Sequence, residues 1–218
     1  MFDGIRAEAE RRNTVLWNLV GKIDEQCDNT WLAWDALTSD VKELGSRAHD
    51  LWPEDPAASL ALYEEAGAGG HPYAMVWAGW CFTIGNAVRP DHDRAHEFFS
   101  QAMSAGSWMA TTYRARLYDR QEKRDLALGL LEDGVKVDHL ASYFWLAWLR
   151  WRYEPTRKTA QAIRPFLDHA IRDGHPGARW LLAKLMMRGQ YGLRRIPEGM
   201  RNAAKLSAEC ALIAQQET

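Results

Sequence analysis

Residues 71–106 read HPYAMVWAGWCFTIGNAVRPDHDRAHEFFSQAMSAG and carry the signals of two helices joined by a loop. His71 and Pro72 open the first helix, because proline fits the first helical position. The segment 85–90 begins with glycine and ends with proline, which is typical of a loop. The second helix ends at Gly106, since glycine supplies the left-handed residue that commonly follows a helix. The stretch is therefore predicted to be one complete helix–loop–helix unit.

The same cycle recurs along the chain, and the ends of the second helices set its period. The sequence places four such ends at Gly70, Gly106, Val137 and Gly174, with spacings of 36, 31 and 37 residues. An alanine follows four residues after each end, and a small residue at a fixed place lets two helices approach closely. Strand patterns and hairpin turns are missing. The sequence thus predicts an all-α chain of twelve helices, built as an array whose units pack on their neighbours.

The N-terminal residues match no repeat. Residues 3–27 are predicted to form an amphipathic helix, and residues 31–37 a short second one. An atypical terminal segment that covers the first exposed core face is what a repeat array requires. We therefore expect a helical extension or cap over residues 1–38, and the repeats over residues 39–218. The alternative is that the apolar stripe of the first helix pairs with a second subunit in a homo-oligomer.

Charge and composition exclude several classes of protein. The formal net charge of −2 argues against a general nucleic-acid binder, which carries a basic excess. No stretch is apolar enough to span a membrane, and the charged N-terminus does not look like a signal peptide, so a cytoplasmic location is the default expectation. Cys27, Cys81 and Cys210 lie far apart without a CxxC pair. Neither a zinc cluster nor a disulfide framework is predicted.

The unit at residues 71–106 resembles the Sel-one-like (Sel1-like) repeat, a member of the tetratricopeptide superfamily. Its small and aromatic residues fall in register with the family pattern: Ala74, Ala78, Gly79, Phe82, Gly85, Ala87, Val88, Asp91, Arg94, Ala95, Phe98, Ala102 and Gly106. The resemblance covers Ser39 to Ala211 as five helix pairs. The two middle pairs depart from the pattern, and Trp145-Leu146 stands where the family has Leu-Gly. The resemblance implies a right-handed α-solenoid of about five helix–turn–helix repeats that serves as a protein–protein scaffold.

In tetratricopeptide-like arrays the first helix of each pair lines the concave face, so exposed positions can be carried over from the family. This resemblance implies a partner-binding set that is mainly aromatic and basic: Tyr73, Val76, Trp80, Arg116, Arg120, Tyr143, Arg150, Trp151, Trp180, Lys184 and Arg188. Aromatic and arginine side chains are the usual anchors of interfaces, and guanidinium groups suit carboxylates. The set predicts a groove for an acidic or carboxylate-terminated segment of another protein. The alternative is a solvated face whose arginine stems cover the tryptophans.

The eleven tryptophans are divided between core and surface by the same frame. Trp145 and Trp148 are predicted to lie in the core, and Trp151 at the rim of the groove. Trp77 is assigned to helix packing, whereas Trp80 is assigned to the groove. The division follows from the positions carried over from the family. For Trp145 and Trp148 it also agrees with their spacing, since tryptophans at three-residue steps on a helix are most often core residues.

Candidate chemistry is sparse. His92 and His96 have the four-residue spacing of a metal pair, but they occupy predicted solvent-side positions and no HExxH motif is present. His71 and His175 share one repeat position and are interpreted as entry residues of their helices, not as a catalytic pair. No nucleophile–base–acid set is found. The sequence therefore predicts no metal site, no cofactor and no enzymatic activity.

The leading hypothesis is a non-enzymatic scaffold or adaptor that binds one protein partner. Two alternatives stay open. One is an immunity or inhibitor protein that neutralises a secreted bacterial effector, because such proteins sometimes resemble this repeat. The other is an accessory subunit of an enzyme complex.

Overall fold

A computed structural model describes the backbone of residues 2–27 and 34–216, and side chains from residue 9 onward in those ranges. All regular elements of this part of the chain are helical, so the predicted all-α class is confirmed. The α-helices are α1 (Phe2–Gln26), α2 (Ser39–Leu51), α3 (Pro56–Ala68), α4 (Pro72–Ile84), α5 (His92–Ser104), α6 (Trp108–Arg120), α7 (Arg124–Lys136), α8 (Leu140–Tyr153), α9 (Arg157–Arg172), α10 (Pro176–Met187) and α11 (Ile196–Gln216). A 3₁₀ turn, Leu193–Arg195, precedes α11. Residues 28–33, which include the start of the predicted short second helix, lie outside the described residues.

The ends of the helices follow from local chemistry. The Asp55 carboxylate accepts the first free amides of α3, and Asp91 does the same for α5. At the C-terminal end of α4, Gly85 has φ +74°. A Cβ atom there would lie 2.6 Å from Cγ of Pro90, so both the backbone and the loop require glycine.

The helices fall into two compact units. The central unit is Asp28–Val137, and the terminal unit joins Met1–Cys27 to Asp138–Thr218. This differs from the expected division, in which residues 1–38 form an extension of a single array over residues 39–218. In the central unit α2 packs with α3, α4 with α5, and α6 with α7. In the terminal unit α8 packs with α9, and α10 with α11.

In both units, close packing of two helices depends on a glycine that faces a ring. In the central unit Phe99 is fully buried, and a Cβ atom at Gly79 would lie 2.7 Å from its ring. In the terminal unit a Cβ atom at Gly177 of α10 would lie 2.7 Å from the ring of Phe144 in α8, so this contact joins the first helices of two successive pairs. Full burial of a phenylalanine contributes roughly 2–3 kcal/mol, so each contact is a sizeable part of the core.

The first helix, α1, packs on the end of the chain. Its apolar residues Val15, Leu16 and Val20 are buried, and the first two share a core cluster with Leu206 and Cys210 of α11. The sequence predicts that this helix covers the first repeat, whereas it packs on α8, α10 and α11. Its apolar stripe is therefore covered within the chain. Among the described residues, no helix is both long and apolar enough to cross a bilayer.

Candidate partner-binding surfaces

The first helix of each pair begins after the same backbone feature, and this feature corrects the register that the sequence predicts. The residue before each cap has a left-handed backbone: Gly70, Gly106, Asp138 and Gly174, with φ of +91°, +93°, +62° and +86°. The sequence places the third of these at Val137, one residue too early. Aspartate is one of the few residues that adopt this conformation readily, so Asp138 replaces the expected glycine.

The residues that follow these positions are the N-caps of their helices. His71 and His175 are the N-caps of α4 and α10, which confirms them as entry residues. His139 caps α8 at the same repeat position and was not singled out in the sequence. The Nδ1 atom of His175 accepts the amide of Ala178 at 3.3 Å, so the neutral ring carries its proton on Nε2.

The one-residue shift explains why two of the residues predicted as partner contacts, both in α8, lie elsewhere than expected. The ring of Tyr143 stacks on His169 of α9 at 3.9 Å, and its hydroxyl donates to Asp138 at 2.8 Å. The Arg150 guanidinium lies 5.2 Å from the ring centroid of Phe166, also in α9. One residue corresponds to a rotation of about 100° around a helix. Both side chains therefore contact the second helix of their own pair instead of the face made by the first helices.

Burial corrects two further members of the predicted set. Val76 is 1 % exposed and belongs to the core of the central unit, and Trp151 is only 7 % exposed. Neither residue is an accessible contact. Trp145, predicted in the core, is confirmed there at 6 % exposure. Trp148, also predicted in the core, is half-buried and takes part in the cluster described next.

The first-helix face of the terminal unit is covered by α1. The Trp17 ring stacks against Trp145 at 6.3 Å and makes edge contacts with Trp148 at 5.9 Å and Trp180 at 6.1 Å. Aromatic pairs of this kind contribute about 0.5–1.5 kcal/mol each beyond the area they bury. Trp180, a predicted partner contact, is thus already engaged by a helix of the same chain.

A buried carboxylate anchors the other end of α1. Asp24 is 1 % exposed and accepts the indole N–H of Trp145 at 2.8 Å. Its second oxygen lies 3.4 Å from Nε2 of His175, the nitrogen that carries the proton. Nearby, burial lowers the pKa of His139 to about 4, although the charge of Asp24 acts in the opposite direction. A carboxylate pays a large desolvation cost unless it is hydrogen-bonded, so these donors decide whether α1 can dock.

A cavity of about 380 Å³ lies beside α1 in the terminal unit. Its α1 wall includes Arg12, Asn13 and Leu16, and its α10 wall includes Trp180 and Lys184. The Lys184 ammonium lies 4.3 Å from the ring centroid of Trp180. Its pKa is lowered, first by burial and then by the charge of Arg188. No carboxylate of the described residues forms an ion pair with this ammonium.

In the central unit, the predicted aromatic contacts form one row. Trp80 is half-buried and meets Trp52 at 5.7 Å and Trp77 at 5.3 Å. Tyr73 meets Trp77 at 5.9 Å, and Trp77 also stacks on Tyr63 of α3 at 6.3 Å, in line with its assignment to packing. We call Trp52, Tyr73, Trp77 and Trp80 the aromatic row. Within this row, Tyr73 and Trp80 are partly exposed.

The two arginines predicted in this unit are on α6. The Arg116 guanidinium lies 5.0 Å from the ring centroid of Tyr113, and Arg120 is exposed at the end of the helix. The row and α6 belong to the same face, because α4 packs directly on α6.

A pocket of about 440 Å³ adjoins the aromatic row. Its lining residues come from α2, the start of α4 and the segment before α2: Trp34, Leu37, Gly45, Ser46, His49, Asp50, His71, Pro72 and Tyr73. The His71 imidazole is 4 % exposed, and burial lowers its pKa. Gly45 makes room for it, since a Cβ atom there would lie 2.5 Å from Nε2 of His71. Sequence reasoning missed this pocket, although Gly45, in the first helix of the pair before the capping His71, is a signal for it.

One histidine of the pair considered for metal binding, His96, does not lie at the solvent-side position that the sequence predicts. The Nε2 atom of His96 lies 3.2 Å from the Gln121 side-chain oxygen, and its ring lies 4.5 Å from that of Tyr118. Burial is the main cause of its lowered pKa. His96 therefore faces α6 and not solvent. Within the described residues, no three potential metal ligands come together.

Solved structures place this chain in a known fold. It is similar to a protective antigen present in uropathogenic Escherichia coli strains, which displays an SLR fold, with a TM-score of 0.62 and 15 % identity. That match covers 79 % of this chain but only 40 % of the antigen, so the chain spans less than half of that protein. A Sel1 repeat protein from Oxalobacter formigenes matches with a TM-score of 0.60 and 13 % identity over 81 % of this chain and 82 % of its own. The predicted Sel-one-like repeat fold is thereby confirmed.

A third structure, an immunity protein from Pseudomonas aeruginosa, has a TM-score of 0.40 and 14 % identity over 80 % of this chain and 85 % of its own. Similarity at this level supports no argument about fold or function. No protein-family model matches the sequence, and no curated protein matches it.

Proposed function

We propose that the protein is a non-enzymatic protein-interaction module whose central unit binds a segment of a partner protein on its first-helix face. The observation that carries the proposal is the pocket of about 440 Å³ beside the aromatic row. Tyr73 belongs to both, so pocket and row form one continuous surface. The Sel-one-like fold supports the same role, because the family resemblance implies protein–protein scaffolding.

The lining of the pocket indicates the chemistry of the segment. Trp34 is 41 % exposed at the mouth, and the Lys42 ammonium lies 5.5 Å from its ring centroid. An apolar or aromatic side chain of the partner enters the pocket against the rings of Trp34 and His71, which meet edge to face at 5.6 Å. Exposed aromatic surface next to a pocket of this size is typical of interface anchors.

The cations on the same face indicate which charge the partner segment carries. Tyr73, Trp80, Arg116 and Arg120 are the members of the predicted set that remain candidates in this unit. The two arginines present guanidinium groups on α6, and these suit the side-chain or terminal carboxylates of an acidic segment. The partner segment is therefore apolar at its anchor and acidic beyond it.

Affinity capture from the native cell tests this function. The Ser46→Trp variant fills the pocket from an exposed position of α2, and Arg47→Trp adds the same side chain at the next exposed position, outside the pocket. We expect the wild type and Arg47→Trp to retain one specific protein, and Ser46→Trp to lose at least about nine-tenths of it. Equal retention by the two tryptophan variants contradicts the proposed site.

A charge-reversal pair tests the acidic character of the segment. Arg120→Glu reverses a cation on the face, whereas Arg89→Glu reverses an exposed cation in the loop between α4 and α5. Capture should weaken with the first variant and persist with the second. Unchanged capture by Arg120→Glu rules out an acidic segment at α6.

A further inference from the structure

The helix α1 occupies the first-helix face of the terminal unit with an incomplete set of contacts. Trp17 fills the space between Trp145, Trp148 and Trp180, and Asp24 satisfies the indole of Trp145. One turn before Trp17 the fit is poor, because the cavity of about 380 Å³ opens between α1, α10 and α11. The face could therefore make more contacts with a helix than it makes with α1.

The cavity contains a cation that has no ion-pair partner among the described side chains of α1. The Lys184 ammonium packs over Trp180, and no ion pair with it forms among the described residues. From residue 9 onward, the α1 residues that line the cavity are Ala9, Arg12, Asn13 and Leu16, which include a second cation and no acid. A carboxylate at this place would supply Lys184 with a charge partner that none of the described residues provides.

The spacing along α1 shows where that carboxylate belongs. Asn13 precedes Trp17 by four residues and Asp24 by eleven. These separations are about one and three helical turns, so the three residues lie on the same side of the helix. A helix with an acid, an aromatic residue and a second acid at these positions meets Lys184, the tryptophans and His175 at the same time.

We propose that this face is a second binding site, for an amphipathic helix of a partner protein that carries a carboxylate four residues before a tryptophan and another seven residues after it. Such a helix replaces α1, which occupies the site as a competitor in the same chain. The proposal concerns the terminal unit and is independent of the function proposed for the central unit.

Peptides derived from α1 provide the probe. A fluorescent peptide with the sequence of residues 2–26 and the change Asn13→Glu is titrated against the full chain by fluorescence polarisation. The control peptide carries Asn18→Glu, which adds the same charge at an exposed position of α1. We expect the Asn13→Glu peptide to bind about twofold to fivefold more tightly than the control, as an ion pair near the surface provides.

Two variants of the full chain locate the binding. Lys184→Met removes the cation and keeps an apolar stem over Trp180, so the two peptides should then bind equally. Trp17→Ala weakens the competing helix of the chain itself and should tighten the binding of both peptides. A Ser46→Trp chain should bind them as the wild type does, which separates this site from the one in the central unit.

Three results would overturn the proposal. One is equal affinity of the two peptides for the wild-type chain. Another is a difference between them that persists in Lys184→Met. The third is the absence of binding by either peptide to both the wild-type and the Trp17→Ala chains, because the face would then not exchange α1 for another helix.

Discussion

The Asp24 carboxylate accepts a hydrogen bond of 2.8 Å from the indole nitrogen of Trp145, a residue 121 positions away. This bond ties the first helix of the chain to α8, and both groups are removed from solvent. It joins a carboxylate acceptor to an indole donor. The docking of α1 is therefore sensitive to single atoms at this point.

Asp24→Ala should destabilise the terminal unit by about 1–3 kcal/mol, because it removes the buried acceptor of the Trp145 indole hydrogen bond. Asp24→Asn keeps an acceptor oxygen and should cost less. Urea unfolding followed by circular dichroism measures both variants. If alanine is tolerated better than asparagine, the hydrogen bond does not stabilise the docked helix.

Trp17→Ala should loosen α1 by about 2 kcal/mol, since it removes three ring contacts and leaves space between them. Limited proteolysis checks this, with cleavage inside α1 expected to become faster while α8 to α11 stay protected. Asn18→Ala, one residue further along and exposed, is the control and should leave the cleavage rate unchanged.

Acid should weaken the terminal unit through His139. Burial lowers its pKa from 6.5 to about 4, so the folded ring stays neutral where the unfolded ring binds a proton. Stability is therefore complete above pH 6.5 and falls as the pH drops towards 4, by up to about 3 kcal/mol.

Urea midpoints at pH 7, 6 and 5 measure this loss in the wild type and in His139→Gln. Burial also lowers the pKa values of His71 and His96, which act in the same direction. The test is therefore the difference between the two proteins. The glutamine variant should show a shallower decline, and parallel curves would exclude His139 as the cause.

Two glycines of the central unit should respond oppositely to alanine. At Gly79 the new Cβ atom would lie 2.7 Å from the fully buried ring of Phe99, so the substitution should cost about 1–3 kcal/mol. At Gly129, inside α7, nothing lies within 4 Å, and alanine should stabilise the helix by about 0.5–1 kcal/mol. Thermal unfolding of both variants gives the comparison, and a loss at Gly129 would contradict the packing described for α7.

The sequence by itself determined the local structure, because helix caps and helical periodicity depend on residues that are close in the sequence. The turn residues around His71 and Gly106 predicted one helix pair, and the repetition of that pattern predicted an all-α repeat fold. The repeat register could not be predicted correctly where another residue replaces the glycine that marks the end of a helix pair. Asp138 takes the left-handed place of a glycine, and this one-residue error rotated Tyr143 and Arg150 away from the face predicted for them.

Only the tertiary structure decided which surface each apolar face covers. An amphipathic stripe shows that a helix will be buried on one side, but any apolar surface of suitable shape can bury it. The stripe of α1 is therefore equally compatible with the first repeat, a second subunit or the last helix pair, where Val15 and Leu16 meet Leu206. The same limit applies to Val76 and Trp151, because their burial depends on helices far away in the sequence.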